Sequence, residues 1–340
     1  MSPGEPYISV IIPVYNAGKY IADCLQSIQA AGFSSYEIIC VDDGSSDSSA
    51  DVIREFIGRD GRIRLIQQEN GGVSAARNAG MAAAAGRYLA FVDADDTVTP
   101  DFFDHIKDLD TSVITCFSDQ FFNKALLSGA NMDKFNKSDI LYTVIPSYLQ
   151  NELGNSVVAK FYETAVIRSH GVRFPEGMPL GEDGYFNVAY LQCVEELVVF
   201  RGTIYCYRET EGSATRNLKK HNYLEAFVKD KDRYRHLTGH LYDKDKLERW
   251  SSIKMIRNIL SVLSVYFRNQ PGISSAGRMK MVRDMLYDKD VRKALDAYYN
   301  EIMEDTAGRF ERFILKAMKQ RSLFRLKLAF KYVHWRNGIK

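Results

Sequence analysis

The sequence predicts an α/β fold with a mostly parallel sheet flanked by helices, followed by an α-helical C-terminal region. Short apolar segments alternate with segments of helical periodicity along residues 1–110. This alternation is typical of right-handed βαβ units around a parallel sheet. Helical periodicity dominates after about residue 217. We therefore expect two domains, residues 1–216 and 217–340, with the first divided into halves 1–110 and 111–216.

Each element of the first half follows from a local pattern. The predicted strands are short apolar runs, and the predicted helices have apolar residues at helical spacing. Gly86 is placed to end the third helix, and Thr99 with Pro100 can begin the next one. The strands are Ile8–Ile12, Tyr36–Val41, Arg62–Gln67 and Tyr88–Val92, and the helices are Tyr20–Ala31, Asp47–Gly58 and Val73–Ala85.

The pattern is less regular after residue 112. We predict a strand at Val113–Phe117 and a pair of strands at Leu197–Phe200 and Thr203–Arg208. Residues 119–160 match no pattern from which a site can be assigned. The predicted helices of this half are Ser138–Gln150, Glu163–His170 and Gly184–Glu195.

Composition and charge favour a globular protein and argue against some other classes of protein. The chain has 340 residues, of which 46% are hydrophobic, and this is enough for a substantial core. Residues 1–110 hold 8 Lys or Arg and 17 Asp or Glu, a net charge of −9 that argues against a general nucleic-acid binder. Single cysteines, an N-terminus without signal-peptide features and the lack of a long apolar run predict a reduced, cytoplasmic chain.

Unusual residues follow three of the predicted strands. The first strand ends in PVYN, the second in VDDGSSD and the fourth in FVDADD. Ligands of open parallel sheets bind at the carboxyl ends of the strands, so these segments should converge on one crevice. Taken singly, Tyr15 is also typical of a packing residue, and DDGSSD of a turn followed by a helix N-cap.

The carboxylates of FVDADD indicate a metal–diphosphate site. Asp93, Asp95 and Asp96 lie within four positions without a Lys or Arg among them, so a divalent cation would relieve their repulsion. A solvated acidic turn is the alternative. Acidic residues bind a diphosphate only through a metal such as Mg²⁺ or Mn²⁺, whereas an aromatic ring can stack on a nucleobase. The motifs of dinucleotide-binding folds, P-loop NTPases and serine hydrolases are absent from the sequence.

Four segments in order resemble the family 2 nucleotide-sugar glycosyltransferases of the GT-A fold. They are ISVIIPVYNAGKYIADCLQSI, EIICVDDGSSDSS, ENGGVSAARNAGMAAAAGRYLAFVDADD and the later GED. The resemblance is strong from residue 8 to about 104 and weak to about 210. It implies an inverting transfer of a sugar from a nucleoside diphosphate, usually UDP, to an acceptor hydroxyl. The products of such bacterial enzymes include surface polysaccharides and lipid-linked oligosaccharides.

The resemblance also implies roles for the strand-end residues in donor binding. Tyr15 would lie beside the uracil with the Pro13 backbone nearby, and Asp43 would accept from the base N3–H with Asp42 as its neighbour. The Asp93-Ala94-Asp95 segment matches the family's DXD motif. Asp93 would contact ribose and metal, and Asp95 would bind the metal directly. Asp96 would bind the metal more weakly or support a residue that binds it.

The same resemblance assigns the acceptor side of the site. Asp183 of the GED segment would deprotonate the acceptor hydroxyl, with Glu182 as the second candidate. Arg77 and Asn78 would approach the diphosphate or brace the acidic loop. Without the resemblance, Glu182 and Asp183 are equally well explained as acids at a helix N-terminus, where they complement the helix dipole.

The last segment, residues 309–340, is basic and amphipathic. It holds 10 Lys or Arg and one Glu, a net charge of +9. Such a helix can lie on an anionic membrane surface, and a peripheral position on the inner face would suit a lipid-linked acceptor. The alternative is that its apolar side packs against the helical domain or a second subunit, and a homodimer is compatible with it.

Two other functions are compatible with the same fold. A sugar nucleotidyltransferase would need a Gly-rich basic loop after the first strand, and PVYNAGKY is a poor version of it. A non-catalytic sugar-nucleotide binder or scaffold would keep the fold without turnover, although the DADD and GED segments argue against it. The sequence does not name the donor sugar, the acceptor or the linkage.

Overall fold

The computed structural model describes residues 6–107, 115–151, 154–178, 180–208, 222–269 and 272–336. The chain forms two compact units, one of residues 1–148 and 153–210 and one of residues 149–152 and 211–340. The predicted divisions at 110/111 and 216/217 lie outside the described residues, as does the start of the strand predicted at Val113–Phe117.

An eight-stranded sheet forms the centre of the first unit. Its strand order is β3-β2-β1-β4-β8-β6-β9-β7, and all strands except β7 and β8 run in the same direction. This confirms the predicted α/β class with a mostly parallel sheet. The strands are β1 (Ile8–Val14), β2 (Tyr36–Asp42), β3 (Ile63–Gln67), β4 (Tyr88–Phe91), β6 (Thr115–Ser118), β7 (Met132–Asn136), β8 (Lys160–Glu163) and β9 (Glu196–Phe200).

A separate two-stranded sheet corrects one prediction. Strand β10 (Tyr205–Cys206) pairs antiparallel with β5 (Thr97–Val98), which directly follows the acidic segment. The predicted pairing of Leu197–Phe200 with Thr203–Arg208 is therefore wrong, because β9 pairs with β6 and β7 in the large sheet. The sequence signal was local apolar alternation, which does not identify the partner of a strand.

The helices of the first unit follow the predicted order with shifted ends. Helix α3 ends at Ala83, so Gly86 does not cap it. Gly86 instead packs so closely on β1 that a Cβ there would lie 2.5 Å from the Ser9 backbone nitrogen. The helices are α1 (Ile21–Ala30), α2 (Ser49–Ile57), α3 (Val73–Ala83), α4 (Asp104–Lys107), α5 (Lys137–Asp139), α6 (Ile145–Gln150), α7 (Thr164–His170) and α8 (Glu182–Leu191).

Aromatic packing positions the start of α8. The ring of Phe91, at the end of β4, packs edge-on against Tyr162 of β8, Phe174 and Phe186. Phe174 and Phe186 stack with their ring centroids 4.0 Å apart. Phe186 belongs to α8, and Phe174 lies in the loop that leads to it. These contacts hold the N-terminus of α8 beside the carboxyl end of β4.

The second unit is helical, as the sequence predicts. Several of its helices begin at a side-chain cap: Asp243 accepts from the Lys246 backbone and Ser274 from the Gly277 backbone. Among the described residues, no helix is both long enough and apolar enough to cross a membrane. The helices are α9 (Tyr223–Thr238), α10 (Lys244–Phe267), α11 (Ser275–Tyr287), α12 (Lys289–Asp305), α13 (Arg309–Lys319) and α14 (Leu323–Arg336).

Candidate active site

The loops that follow β1 and β2 are joined by hydrogen bonds. The Asn16 backbone donates to Ser45 Oγ at 2.9 Å, and Asn16 Oδ1 accepts from the Ser46 backbone at 2.9 Å. Gly18 donates to Asp47 Oδ2 at 2.9 Å. Asn16 has a left-handed backbone, φ 51°, which turns the chain sharply after Tyr15. The Tyr15 ring is therefore left exposed at the carboxyl edge of the sheet.

Asp43 is buried and organises the loop before α3. Its Oδ1 accepts hydrogen bonds from Gln68 Nε2 and the Gly71 backbone, and its Oδ2 accepts one from the Gly72 backbone, each at 2.8 Å. Its neighbour Asp42 is also buried and accepts from the Ser45 backbone at 3.0 Å. Ionised carboxylates stabilise such backbone donors well, so both acids support the loops around Tyr15.

Arg77 of α3 joins the two acidic segments predicted from the sequence. Its Nη1 lies 2.6 Å from Asp183 Oδ1 and 3.6 Å from Glu182 Oε1, and its Nη2 lies 3.1 Å from Asp93 Oδ1. The guanidinium is almost fully buried and packs 5.2 Å from the centroid of the Phe174 ring. Burial alone would lower the pKa of Arg77, but the three carboxylates outweigh burial and raise it.

Asp183 and Glu182 lie in the first turn of α8. Burial raises the pKa of both carboxyl groups, and the positive charge of Arg77 opposes this rise. Asp183 Oδ2 also accepts from the Val157 backbone at 3.2 Å, and the side chain is 23% exposed. Each oxygen of Asp183 is therefore oriented by a donor.

Asn78 braces the loop before α8. Its amide exchanges two hydrogen bonds with the Phe174 backbone, at 2.9 and 3.0 Å, and donates a third to Glu176 Oε1 at 3.1 Å. The sequence left two roles open for Asn78, contact with the diphosphate or bracing of the acidic loop. These contacts use its amide within the protein.

The three acids of the DADD segment have different surroundings. Asp93 and Asp95 are partly exposed, whereas Asp96 is buried. Asp96 Oδ2 accepts from the Tyr205 hydroxyl at 2.6 Å, and Oδ1 accepts from the Arg208 backbone at 2.7 Å. Burial raises the pKa of Asp96 to about 6, although these hydrogen bonds oppose the rise. Ala94 is buried between the two partly exposed acids.

Tyr205 was not identified from the sequence. Its hydroxyl donates to Asp96 and accepts a hydrogen bond from the Asp93 backbone at 3.1 Å. The nearby Tyr207 ring is exposed, with its centroid 6.4 Å from that of Tyr205. The apolar alternation of residues 203–208 indicates a strand but says nothing of its neighbours, so this contact had no local signal.

Lys160 of β8 was also missed. Its buried ammonium donates to the carbonyl oxygens of Ser156 and Phe121 and lies 5.3 Å from the centroid of the Phe117 ring. The Ser156 carbonyl and the Val157 N–H belong to one peptide group, and that N–H donates to Asp183. Lys160 thus acts on Asp183 through a single peptide. A Lys inside an otherwise apolar strand was the available signal.

Comparison with known proteins finds a matching family model and several similar glycosyltransferases. Residues 9–153 match the family model described as Glycosyl transferase family 2. "Glycosyltransferase GlyA" of Streptococcus pneumoniae serotype 4 is 33% identical over 229 residues, which is 62% of this chain but 31% of that protein. "Uncharacterized glycosyltransferase EpsJ" of Bacillus subtilis strain 168 is 27% identical over 344 residues, 96% of each chain.

A solved structure has a similar fold to this chain. The crystal structure of residues 1–349 of S. aureus TarS in complex with UDP-GlcNAc matches with a TM-score of 0.58 and 17% identity, over 97% of this chain and 92% of that chain. At this identity the likeness concerns the fold alone. Residues 9–153 are therefore a Glycosyl transferase family 2 domain, and the chain shares the fold of the TarS structure.

Proposed function

We propose that the protein transfers a sugar from a UDP-sugar to a hydroxyl group of a saccharide or lipid-linked saccharide, with inversion at the anomeric carbon. The observation that carries this proposal is the bridge formed by Arg77 between Asp183 and Asp93. It keeps the proposed base and the proposed diphosphate-side acid within reach of one guanidinium. A donor sugar bound beside this bridge would have the acceptor on the side of Asp183 and the diphosphate on the side of Asp93.

By analogy, the comparisons support a UDP-sugar as the donor and polysaccharide synthesis as the pathway. The TarS chain was solved with UDP-GlcNAc and with UDP. Among the relatives are "Succinoglycan biosynthesis protein ExoO" of Rhizobium meliloti strain 1021, 25% identical over 233 residues, and a "Putative teichuronic acid biosynthesis glycosyltransferase" of Bacillus subtilis strain 168, 34% identical over 136 residues. We propose that this protein likewise extends a surface polysaccharide or a lipid-linked oligosaccharide.

The nucleoside of the donor would bind at the exposed Tyr15 ring. Aromatic rings stack on nucleobases regardless of sequence, and the Pro13 backbone lies just before this ring. A carboxylate offers about four acceptor positions. Asp43 Oδ2 accepts one hydrogen bond in the described structure, so it can accept another from the base N3–H. Asp42 would support the loop through the Ser45 backbone.

Asp93 and Asp95 are the residues that would hold Mg²⁺ or Mn²⁺. Among the described residues, no group of three or more His, Cys, Asp or Glu is arranged to hold a metal ion. Two carboxylates that leave positions for phosphate oxygens fit the way Mg²⁺ is usually held with a nucleotide. When bound, such an ion supplies positive charge next to the leaving diphosphate. Asp96 has both oxygens in protein hydrogen bonds, so we assign it to positioning this segment.

Asp183 would take the proton from the acceptor hydroxyl. Burial raises its pKa, which strengthens it as a base, and the positive charge of Arg77 opposes that rise. The N–H of Val157 and the Nη1 of Arg77 fix the direction of its two oxygens. Glu182 is the second candidate, at a longer distance from Arg77. Removing the proton as the hydroxyl attacks the anomeric carbon gives inversion in one displacement.

Calorimetric titration of UDP into the protein, with Mn²⁺ and without it, tests the donor site. We expect binding that requires Mn²⁺ and that is lost in Asp95→Ala. Asp51→Ala is the matched control, because Asp51 is an exposed acid that pairs with Arg54 away from the site. No binding of UDP to the wild-type protein under either condition would exclude the UDP assignment, and GDP, CDP and dTDP would then be titrated.

The cellular setting stays a prediction. We expect a cytoplasmic protein, peripheral on the inner face of the cell membrane, without a nucleic-acid partner. A homodimer is a further prediction, because the amphipathic residues 309–340 are compatible with one. Sedimentation of the purified protein over a range of concentrations measures the oligomeric state directly.

A further inference from the structure

The apolar side of residues 309–340, predicted from the sequence, packs within the helical unit. In α13 the side chains of Ile314, Ala317 and Met318 are buried. In α14 the ring of Phe330 stacks on Phe267 of α10, with centroids 4.4 Å apart. The apolar stripe recognised from the sequence is therefore an internal packing surface and is not available to a partner.

A different stripe of α14 is exposed. Phe324, Leu328, Tyr332 and Trp335 are 75%, 56%, 56% and 78% exposed. Because successive residues of a helix are turned by about 100°, these four side chains lie within an arc of about 80°. Contiguous exposed apolar side chains are uncommon on monomeric proteins and mark interaction surfaces. We name Phe324, Leu328, Tyr332 and Trp335 the outer stripe.

Cations border the outer stripe. Arg325 follows it on one side, and Lys327 and Lys331 lie on the other. Residues 321–336 contain no Asp or Glu. Lys327 and Lys331 form no ion pair with any residue that the structure describes, although many exposed cations of α9 to α12 do. The surface around the outer stripe is thus both apolar and positively charged.

A cavity of about 360 Å³ lies beside these lysines. It is bounded by α10, α11 and α14, and its lining includes Phe267, Phe330, Arg278, Lys327 and Lys331. Arg278 is buried, and its Nε has no hydrogen-bond partner in the described part of the chain. Its Nη1 donates to the Ile273 backbone at 2.6 Å. A buried guanidinium with an unused donor, flanked by two lysines, suits a phosphate group.

We propose that α14 binds a membrane surface rich in anionic phospholipids. The outer stripe enters the boundary between headgroups and acyl chains, and the cavity of Arg278, Lys327 and Lys331 takes a lipid phosphate. A helix with an apolar stripe and flanking Lys and Arg binds membranes in this way. The proposal goes beyond sugar transfer and does not depend on it.

The charges favour a lipid surface over a second copy of the chain at this face. In a symmetric dimer the same patch faces itself, so Lys327, Lys331 and Arg325 would oppose the cations of the other copy. An anionic bilayer neutralises those charges and buries the stripe at the same time. Because the proposed partner is an anionic bilayer, the test uses vesicles of known lipid composition.

Trp335 provides a direct reporter of insertion. The chain has two tryptophans, Trp250 and Trp335, so Trp250→Phe leaves Trp335 as the single fluorescent indole. We expect its emission to shift to shorter wavelength with vesicles containing phosphatidylglycerol, and brominated acyl chains to quench it. Vesicles of phosphatidylcholine alone should cause little change. Equal signals with both vesicle types, or no change with either, would overturn the proposal.

Variants separate the stripe from the cations. Phe324→Ser with Leu328→Ser should weaken vesicle binding at least tenfold. Lys327→Gln with Lys331→Gln should weaken it by roughly 25-fold, since each surface cation contributes about fivefold. Tyr142→Ser and Lys280→Gln are the matched controls, an exposed ring and an exposed lysine elsewhere. Unchanged vesicle binding in both double variants would contradict the assignment. It would also be contradicted if the wild-type protein does not bind vesicles and forms a dimer that is lost in Phe324→Ser with Leu328→Ser.

Discussion

Arg77 and Asp183 form a 2.6 Å charged hydrogen bond between two helices that are far apart in sequence. Arg77 lies in α3, and Asp183 lies in the first turn of α8. The same guanidinium holds Asp93, at the carboxyl end of β4, at 3.1 Å. One buried cation thus sets the position of the proposed base relative to the proposed diphosphate side. Its loss should affect both stability and catalysis.

Replacing Arg77 by Met should destabilise the fold by about 3–5 kcal/mol, because it removes the buried cation from three carboxylate side chains that are only 17–30% exposed. Burial raises the pKa of Asp183 and Glu182, and without Arg77 it should raise them further. Groups with a raised folded pKa lose stability as pH rises through that pKa. The destabilisation should therefore be larger at pH 8 than at pH 5, as measured by urea unfolding.

Arg54→Met is the control for Arg77→Met, since Arg54 pairs with an exposed acid. It should change the free energy of unfolding by less than about 1 kcal/mol at either pH. A loss of stability in Arg77→Met that is the same at pH 5 and pH 8 would show that the carboxylates are not responsible.

Asp183→Asn should abolish most of the sugar transfer without affecting donor binding. The amide keeps the shape of the side chain but cannot accept a proton, and general-base catalysis contributes about 10²–10⁴-fold. We expect that loss in kcat for release of UDP from a UDP-sugar, with an unchanged Kd for UDP measured by calorimetry. Glu182→Gln should retain much more activity. The opposite order of these two variants would make Glu182 the base.

The location of the site was predictable because its signals are local. Short apolar runs give strands, and the structure confirms that β2, β1 and β4 are adjacent and parallel. That Tyr15, Asp43 and Asp93 form one site at the carboxyl ends of these strands stays a prediction. The hydrogen bonds of Asp43 could not be predicted. Their donors are backbone N–H groups whose direction depends on a loop in which Gly72 has φ 86°.

The different surroundings of Asp93 and Asp96 could not be predicted from the sequence either. Both belong to one short acidic segment, yet Asp96 is buried against Tyr205, more than a hundred residues away. That contact depends on β5 pairing with β10, whereas the sequence favoured pairing of neighbouring strands. In α14, similarly, helical periodicity located the apolar residues but did not show which stripe is packed and which is exposed.

Tyr205→Phe should weaken metal-dependent binding of UDP. The change removes the hydroxyl that donates to Asp96 and accepts from the Asp93 backbone, so a buried carboxylate oxygen loses its donor. A lost hydrogen bond to a charged group costs about 1.5–3 kcal/mol of stability. Tyr142→Phe is the control, because that ring is exposed. Wild-type UDP affinity in Tyr205→Phe, measured with Mn²⁺, would show that Asp96 does not position the acidic segment.

Lys160→Met should slow sugar transfer while leaving UDP affinity unchanged. Lys160 acts on Asp183 electrostatically and through the Ser156–Val157 peptide, where a donor on the carbonyl strengthens the N–H bond to the carboxylate. The loss in kcat should therefore disappear in an Asp183→Asn background. If the two substitutions instead multiply their effects on kcat, Lys160 does not act through Asp183. Lys134→Met, on the exposed side of β7, should be neutral in both backgrounds.

The same Lys160→Met variant should also change how stability depends on pH. Burial lowers the pKa of Lys160 from 10.5 to about 7. Between these values the unfolded chain holds a proton that the folded chain has released, so this group makes folding more favourable as pH rises through that window. Below pH 7 its stabilising contribution is absent. Urea unfolding from pH 7 to 10 should show this rise in the wild type and in Lys134→Met but not in Lys160→Met, and a rise of equal size in all three proteins would assign it to another group.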